Sequence, residues 1–261
     1  MPEFQEISIV CSQERLTDTV YRLTLLAPDI AASAKPGQFI MVACHGGSYD
    51  PLLRRPFSIH QISTDGTLQL LYKVVGHGTQ LLASALPGQE LSLIGPLGRG
   101  FHLDMKSSVC LVGGGMGIAP LLFLASQLVK RGIDTAPVTL LGARTAAEVD
   151  CLADSFSKVG CQVQVATDDG TCGHRGYVSD LLTQHLDKKT KVYVCGPHAM
   201  MAEVARQCLT AEAACEVSLE THMACGLGAC LGCTVYGADG SYKHVCKHGP
   251  VMAAQEVAWI R

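Results

Sequence analysis

Charged residues are scarce in this chain of 261 residues, in which lysine, arginine, aspartate and glutamate together make up 16% of the total. The 20 basic and 23 acidic residues nearly balance, giving a formal charge of −3, and no basic block occurs. A protein that binds nucleic acid needs clustered basic residues to neutralise phosphates. The composition therefore excludes nucleic acid as a partner.

Long hydrophobic runs are also missing. The longest apolar stretch covers residues 118–125, whereas a helix needs about 20 residues to cross a bilayer. The first five residues do not begin a signal peptide, because no basic segment leads into an apolar core. We therefore expect a soluble, cytoplasmic protein without membrane contact. The ten histidines form neither an H-x-x-H nor an H-E-x-x-H pattern, so nothing supports a histidine-based metal or hydrolytic site.

What the chain does have is 48% hydrophobic residues and a change of pattern along its length. Six short β-prone runs before residue 100 predict an antiparallel barrel over residues 1–101. Apolar strands then alternate with helical stretches, which predicts a doubly wound parallel sheet over 102–214. Residues 215–261 are too few for a large core, so something besides apolar burial must hold this C-terminal module.

Four of the thirteen cysteines form one group in that module. Their spacing, C-x4-C-x2-C-x12-C, is typical of plant-type [2Fe–2S] sites, in which a glycine-rich loop wraps the cluster. Glycines at 226, 228 and 232 suit such a loop. A structural zinc site is the alternative, although it usually pairs two short cysteine hooks. The candidate ligands are Cys225, Cys230, Cys233 and Cys246.

An apolar run at 109–112 continues through glycines toward a predicted helix over 119–130. Glycines let the backbone approach a pyrophosphate, and the N–H groups of the following helix complement its charge. The order is G-x-G-x-x-P, with proline where the common dinucleotide motif has its third glycine. A tight turn without a ligand is the alternative. The residues concerned are Gly113, Gly114, Gly115, Met116, Gly117 and Pro120.

Three other stretches carry weaker signals. Arg55 can pair with a diphosphate and Ser58 can bond a ring nitrogen, although Arg-Pro is also a common strand start. Gly78 and Thr79 offer backbone and hydroxyl donors for phosphate oxygens. The Cys195-Gly196 turn ends a predicted strand, where its cysteine either touches a nicotinamide ring or is simply buried.

In this order, the motifs resemble those of the ferredoxin reductase superfamily, and within it the electron-transfer subunits of class 1B dihydroorotate dehydrogenases. The closer resemblance rests on residues 218–226, Ser-Leu-Glu-Thr-His-Met-Ala-Cys-Gly, and residues 245–251, Val-Cys-Lys-His-Gly-Pro-Val. It covers essentially the whole chain. It implies an FAD-binding barrel, an NAD-binding α/β domain and a small [2Fe–2S] module.

The resemblance also assigns residues. It implies that the four cysteines bind the cluster and that the glycine turn, with Cys195 and Gly196, binds the nicotinamide nucleotide. Phe57 departs from the family pattern, which has tyrosine in many members and an aliphatic residue in this subfamily, so the ring-stacking partner of the flavin stays open. The implied FAD residues are Arg55, Pro56, Phe57, Ser58, Tyr72, Lys73, Val74, Gly78 and Thr79.

The function implied is electron transfer from the FMN of a dihydroorotate dehydrogenase catalytic subunit, through the cluster and FAD, to NAD⁺, in a heterotetramer of two of each subunit. No protein acid–base pair is expected, because the cofactors carry the chemistry. Two alternatives remain: a ferredoxin:NAD(P)⁺ oxidoreductase small subunit or similar reductase, and a non-enzymatic iron–sulfur scaffold or sensor.

The residues after the predicted strand at 138–141 bear on the choice between NAD and NADP. Arg144 is followed by Glu148, Asp150 and Asp154, against a single Lys158. This acidic surrounding predicts that NAD(H) is preferred, because a 2′-phosphate calls for basic residues near the ribose. Arg144 is the residue most able to overturn that preference.

Overall fold

The first part of the computed structural model, which describes residues 3–44, 50–105 and 108–259 but not the side chain of Cys151, is an antiparallel barrel. Its strands are β1 (Phe4–Arg15), β2 (Val20–Leu26), β3 (Phe39–Val42), β4 (Arg55–Ile62), β5 (Thr67–Lys73) and β6 (Glu90–Leu97). The barrel closes in the order β1-β2-β5-β4-β3-β6. Two short helices, α1 (Pro28–Ser33) and α2 (His77–Ala83), lie between strands.

Alternation along the barrel strands explains its core. Leu23 and Leu25 of β2 and Leu68 and Leu70 of β5 are fully buried, and the residues between them are more exposed. Successive side chains of a strand point to opposite faces, so each strand contributes one apolar row to the interior. The barrel expected from the sequence is confirmed.

The second part is built on a sheet of parallel strands. Strands β7 (Ser108–Gly114), β8 (Val138–Ala143), β9 (Gln162–Thr167), β10 (His174–Arg175), β11 (Thr190–Cys195) and β12 (Ala214–Ser218) alternate with helices α3 (Leu121–Lys130), α4 (Ala146–Lys158), α5 (Val178–Leu182) and α6 (His198–Thr210). Short 3₁₀ helices cover Gly115–Ile118 and Thr183–His185. The strand order is β10-β9-β8-β7-β11-β12.

Helices cover both faces of this sheet. Leu111 of β7 packs in a core with α3 and α4, whereas its neighbour Val112 packs in a second core with α5 and α6. Adjacent residues of one strand thus reach opposite layers, which is the doubly wound arrangement that the sequence predicts. The helix expected over 119–130 begins at Leu121, after the 3₁₀ turn.

The C-terminal module is small. It contains β13 (Thr234–Tyr236), β14 (Tyr242–His244), α7 (Val245–His248), β15 (Val251–Ala253) and a 3₁₀ turn, Ala254–Glu256. Strands β13 and β14 form a two-stranded sheet, while β15 pairs antiparallel with β12 and extends the large sheet to seven strands. The module is therefore connected to the α/β sheet by the β12–β15 strand pairing as well as by the continuous chain.

The three parts are closely interlocked. Phe123 of α3 packs into the barrel core, and the ring of His60 in β4 lies 2.7 Å from the carbonyl oxygen of Ala119. Strand β12 crosses the expected boundary at residue 215, and the domain limits stay predictions. No helix in the described part of the chain has the length and apolar character that crossing a membrane requires.

Candidate functional site

The glycine turn lies where the order of the parallel strands reverses. From β7 the chain proceeds outward through β8 and β9, then returns to place β11 on the other side of β7. Cys195, the last residue of β11, is in register with Gly113 of β7. In open α/β sheets, ligands bind at the carboxyl ends of strands beside such a reversal. The structure thus brings the glycine turn and the Cys195-Gly196 turn together.

Close backbone approach explains the glycine at residue 117. A Cβ there would overlap the backbone of Cys195 and Gly196. Gly115 has a φ of +54°, in the left-handed region that favours glycine. Pro120 then precedes the first residue of α3. The glycines of this turn let a nucleotide pyrophosphate approach its backbone closely.

Two cavities open on the turn, and residues 114–116 line both. The larger, about 650 Å³, extends over the ends of β8 and β9 to Arg144 and Asp168. The second, about 560 Å³, extends past Gly117 to Glu220. Both volumes lie in the range of about 300–1,000 Å³ that is usual for small-molecule sites.

The larger cavity carries a charged group at its rim. Arg144 donates from Nη2 to Glu148 Oε1 at 2.9 Å, and its backbone N–H donates to Oε2 at 3.2 Å. Lys73 Nζ of the barrel lies 3.5 Å from the same Oε1. The Arg144 hydrogen bond lowers the pKa of Glu148 more than burial raises it. The structure thus places Lys73, which the resemblance assigns to FAD, beside the α/β domain.

Cys195 and Glu220 differ in their access to the smaller cavity. Cys195 is 1% exposed, and burial raises the pKa of its thiol. This burial supports the interpretation of Cys195 as a core residue. Glu220 follows β12 and lines the cavity with its side chain exposed, although desolvation by the surrounding protein raises the pKa of its carboxyl. The Oγ1 atom of the next residue, Thr221, is buried without a hydrogen-bond partner.

The proposed flavin residues lie on two paired barrel strands and the helix after them. Arg55, Pro56, Phe57 and Ser58 begin β4, Tyr72 and Lys73 end β5, and Val74 follows. The rings of Phe57 and Tyr72 meet edge to face with centroids 5.6 Å apart. Tyr72 itself is buried, so Phe57 is the more accessible ring of the pair.

Arg55 lies directly beside α2. A Cβ at residue 78 would be 3.1 Å from Arg55 Nε, so glycine allows the guanidinium to reach the start of the helix. The first N–H groups of a helix have no partners within it and can bind a diphosphate together with the arginine. The Thr79 hydroxyl is used in the turn, accepting from the N–H of Val75 and donating to Gly76 O. Thr79 therefore offers its backbone rather than its hydroxyl.

Exposed apolar side chains flank this diphosphate site. Leu52 is 77% exposed, Leu53 is 49% exposed and Val75 is 80% exposed. Adjacent exposed hydrophobic residues of this size mark a ligand or partner surface. Rings of a dinucleotide would cover them, so these residues fit FAD.

The four candidate cluster ligands form two pairs. Cys233 Sγ and Cys246 Sγ are 3.2 Å apart and buried. Cys225 Sγ accepts the N–H of Cys230 at 3.4 Å, and this second pair lies nearer the surface. Within the described residues, no three metal-ligating side chains are grouped as for a single ion. Two pairs suit two irons, one pair for each, better than one zinc.

Backbone N–H groups point at the cysteine sulfurs. Gly228 N–H donates to Cys246 Sγ at 3.1 Å, and Leu227 N–H donates to Cys225 Sγ at 3.4 Å. Although burial acts to raise the pKa of Cys225, the N–H groups of Cys230 and Leu227 lower it to about 6. Burial and the neighbouring Cys233 raise the pKa of Cys246 to about 12. The loop therefore presents N–H donors to the sulfurs of Cys225 and Cys246, and such hydrogen bonds set the reduction potential of an iron–sulfur cluster.

The cluster loop packs on the barrel next to the flavin strand. A Cβ at Gly226, whose φ is +71°, would lie 2.6 Å from Met41 Cγ. Met41 belongs to β3 and is the register partner of Pro56 in β4. Residues 219–226 run from the smaller cavity to this contact. The three candidate sites are therefore adjacent.

Some residues that line the cavities are not among the site residues that the sequence predicts. Tyr177, Met200 and Glu203 line the larger cavity, and Glu220 lines the smaller one. The carboxyl end of β12 could have pointed to Glu220, had that short strand been recognised. The others carry no local signal, because only the packing of α5 and α6 brings them to the turn.

Comparison with known proteins agrees with this arrangement. The family model for the iron-sulfur cluster binding domain of dihydroorotate dehydrogenase B matches residues 220–258. An oxidoreductase NAD-binding domain matches residues 111–206, and an oxidoreductase FAD-binding domain matches residues 9–102. The chain therefore has domains for all three cofactors that the sequence predicts.

Among solved structures, that of an NADH-dependent reduced ferredoxin-NADP oxidoreductase matches with a TM-score of 0.85 and 27% identity, over 97% of this chain and 90% of the other. The ferredoxin reductase of carbazole 1,9a-dioxygenase matches with a TM-score of 0.69 and 22% identity, over 82% and 67%. The second likeness shows the fold. Together with the cofactor domains, these matches identify a ferredoxin-reductase-like oxidoreductase.

Curated relatives define the family more closely. The dihydroorotate dehydrogenase B (NAD(+)) electron transfer subunit of Desulforamulus reducens is 44% identical over 246 residues, which are 92% of this chain and 92% of the relative. That of Bacillus caldolyticus is 39% identical over 259 residues, 97% of this chain and 98% of the relative. The chain belongs to the family of dihydroorotate dehydrogenase B (NAD(+)) electron transfer subunits.

Proposed function

We propose that this chain takes electrons from the FMN of a dihydroorotate dehydrogenase catalytic subunit and delivers them to NAD⁺, in pyrimidine biosynthesis. The observation that carries the proposal is the adjacency of the three sites. The cluster loop contacts Met41 beside the flavin strand, and residues 219–226 link that loop to the smaller of the two cavities that open on the glycine turn. The family membership supplies the donor substrate.

When bound, the three cofactors supply the redox chemistry: single-electron transfer at the cluster, conversion between single electrons and pairs at the flavin, and hydride exchange with the nicotinamide. The protein contributes position. Arg55 and the backbone of Gly78 and Thr79 hold the flavin diphosphate, and the glycine turn holds the nucleotide pyrophosphate. Cys225, Cys230, Cys233 and Cys246 bind the cluster.

The partner subunit docks, in this proposal, where the cluster is nearest the surface. Leu227 and Leu231 flank the exposed Cys230 and are 49% and 54% exposed. Leu231 also has a φ of +60°, a conformation that leucine rarely adopts. A partner with an apolar contact would cover both leucines and bring its own cofactor close to the cluster.

Assembly and location complete the proposal. Two copies of each subunit form the heterotetramer, and the complex works in the cytoplasm. No disulfide joins the cysteines whose side chains are described, and eight of these lie outside the proposed cluster site as thiols. A reducing compartment keeps thiols in that state, which supports the cytoplasmic location.

The test uses the chain co-expressed with the FMN-containing catalytic subunit. We expect co-purification and NAD⁺ reduction that depends on dihydroorotate. Leu227→Glu should reduce co-purification at least about tenfold, while NADH oxidation by an artificial acceptor stays unchanged. Leu209→Glu is the matched control, because Leu209 is 76% exposed on α6, away from the cluster.

Reduction of NAD⁺ by reduced ferredoxin, with none from dihydroorotate, would contradict the proposed donor. Equal binding of the partner by both variants would contradict the docking face alone. Absence of NADH oxidation by the cofactor-loaded chain would instead favour the scaffold alternative.

A further inference from the structure

In the charged group at the rim of the larger cavity, Arg144 and Glu148 lie outside the cofactor motifs. Arg144 follows β8, the second strand of the nucleotide sheet, where NADP-binding proteins place cations for the 2′-phosphate. In this chain the guanidinium is bonded to Glu148 at 2.9 Å. Lys73, from the barrel, approaches the same carboxylate at 3.5 Å.

The fold holds this group in position. Glu148 lies in the first turn of α4, where the helix dipole favours a negative charge. The backbone carbonyl of Arg144 accepts the N–H of Asp169 at 3.2 Å, which ties it to the end of the neighbouring strand β9. The Arg144 hydrogen bond lowers the pKa of Glu148, so its carboxylate is charged at neutral pH and stays charged in mild acid.

The charges lining the larger cavity are unfavourable to a further anion. Two cations, Lys73 and Arg144, face three carboxylates, Glu148, Asp168 and Glu203. Both cations converge on Glu148, while Glu203 pairs with Arg206. A 2′-phosphate would therefore meet an acidic rim with its two cations already engaged. Ribose hydroxyls, in contrast, can donate to a carboxylate.

We propose that Glu148 determines the preference for NAD over NADP by occupying Arg144 and Lys73 and by accepting a ribose hydroxyl. This inference rests on the proposed function, with the adenosine ribose of NAD placed in the larger cavity and the glycine turn lining both cavities. In this proposal the carboxylate of Glu148, rather than the lack of a cation, discriminates between NAD and NADP. Removal of that carboxylate should convert the rim into a phosphate site, because Arg144 can bind phosphate through two N–H groups.

The test measures binding of 2′,5′-ADP and 5′-AMP to the cofactor-loaded protein by calorimetry. Glu148→Gln should bind 2′,5′-ADP at least about tenfold more tightly than wild type does, with 5′-AMP changed by less than about threefold. Adding Arg144→Ala should abolish the gain. Asp154→Asn is the matched control: it removes a carboxylate from the same helix, paired with Lys158 at 2.7 Å but outside the cavity lining.

The same variants report through kinetics. The ratio of kcat/KM for NADPH to that for NADH should rise at least about tenfold in Glu148→Gln, mainly through KM for NADPH. An unchanged ratio and unchanged 2′,5′-ADP affinity, or a gain that survives Arg144→Ala, would overturn the role of Glu148. Wild-type oxidation of NADH tests the proposed function separately, since it does not depend on this ratio.

Discussion

A single histidine joins the flavin strand to the nucleotide turn. His60 of β4 is 1% exposed, and its Nδ1 lies 2.7 Å from the carbonyl oxygen of Ala119. Since a carbonyl only accepts, Nδ1 carries the proton that is donated. Burial lowers the pKa of His60 to about 4, although the hydrogen bond to Ala119 acts to raise it. The folded protein therefore keeps this ring neutral.

This residue predicts a loss of stability in mild acid. Below pH 6.5 the unfolded chain binds a proton at His60 that the folded chain binds only near pH 4, so stability falls across that window. Between pH 7 and pH 5 we expect a loss of about 2 kcal/mol from this residue. Urea unfolding should therefore show a smaller decline for His60→Gln than for wild type.

The exposed His174 provides the control for this measurement. His174→Gln should decline like wild type between the two pH values. If His60→Gln also loses as much stability as wild type, the neutral buried ring is not the source of the pH dependence.

At the scale of elements, the contact between the glycine turn and β11 positions the nucleotide. Gly117 lies against the backbone of Cys195 and Gly196, which a side-chain rotation cannot relieve. Gly117→Ala must therefore separate the two strand ends. We expect KM for NADH to rise at least about tenfold, because pyrophosphate binding depends on close backbone approach. FAD and iron contents should stay at wild-type values.

Gly132→Ala is the control for that change, because no atom lies within 4 Å of a Cβ placed there. Its φ of +78° costs stability but leaves the turn intact. Equal KM values for NADH in the two variants would show that loss of stability, not contact with β11, explains the effect of Gly117→Ala.

The same elements show what sequence could and could not predict. The barrel, the glycine turn and the parallel strands were predictable, because long apolar periodicities and turn residues mark them. Strand β15 was not predictable, because its three residues form a strand only by pairing with β12, which lies more than 30 residues earlier in the chain. Local pattern cannot report a pairing of that range.

The site followed the same rule. Arg144 and Glu148 were visible as residues, yet their pairing depends on where α4 begins. Arg144 precedes the N-cap of α4 and Glu148 lies in its first turn, so their contact depends on how the chain enters the helix, and the approach of Lys73 requires the barrel to be docked. Helix boundaries and contacts between domains depend on tertiary packing, so local residue types do not determine them.

At the scale of the whole molecule, the arrangement of sites specifies a path. The cluster loop touches the barrel beside the flavin strand, and the smaller cavity is lined by the glycine turn together with residues of the C-terminal module such as Val235 and Tyr236. Because an iron–sulfur cluster carries single electrons and a nicotinamide exchanges electron pairs, the proposed function routes electrons between the cluster and NAD through the flavin. Arg55→Ala should remove FAD while the cluster remains, and Cys230→Ser should remove the cluster while FAD remains.

The most direct test mixes the purified, cofactor-loaded chain with NADH without oxygen, and follows flavin absorbance together with the paramagnetic signal of the reduced cluster. In wild type, we predict that the flavin is reduced and that the cluster signal then appears. In Arg55→Ala, the cluster should stay oxidised with NADH yet respond to dithionite. A cluster reduced by NADH equally fast in wild type and in flavin-free Arg55→Ala would contradict the proposed path.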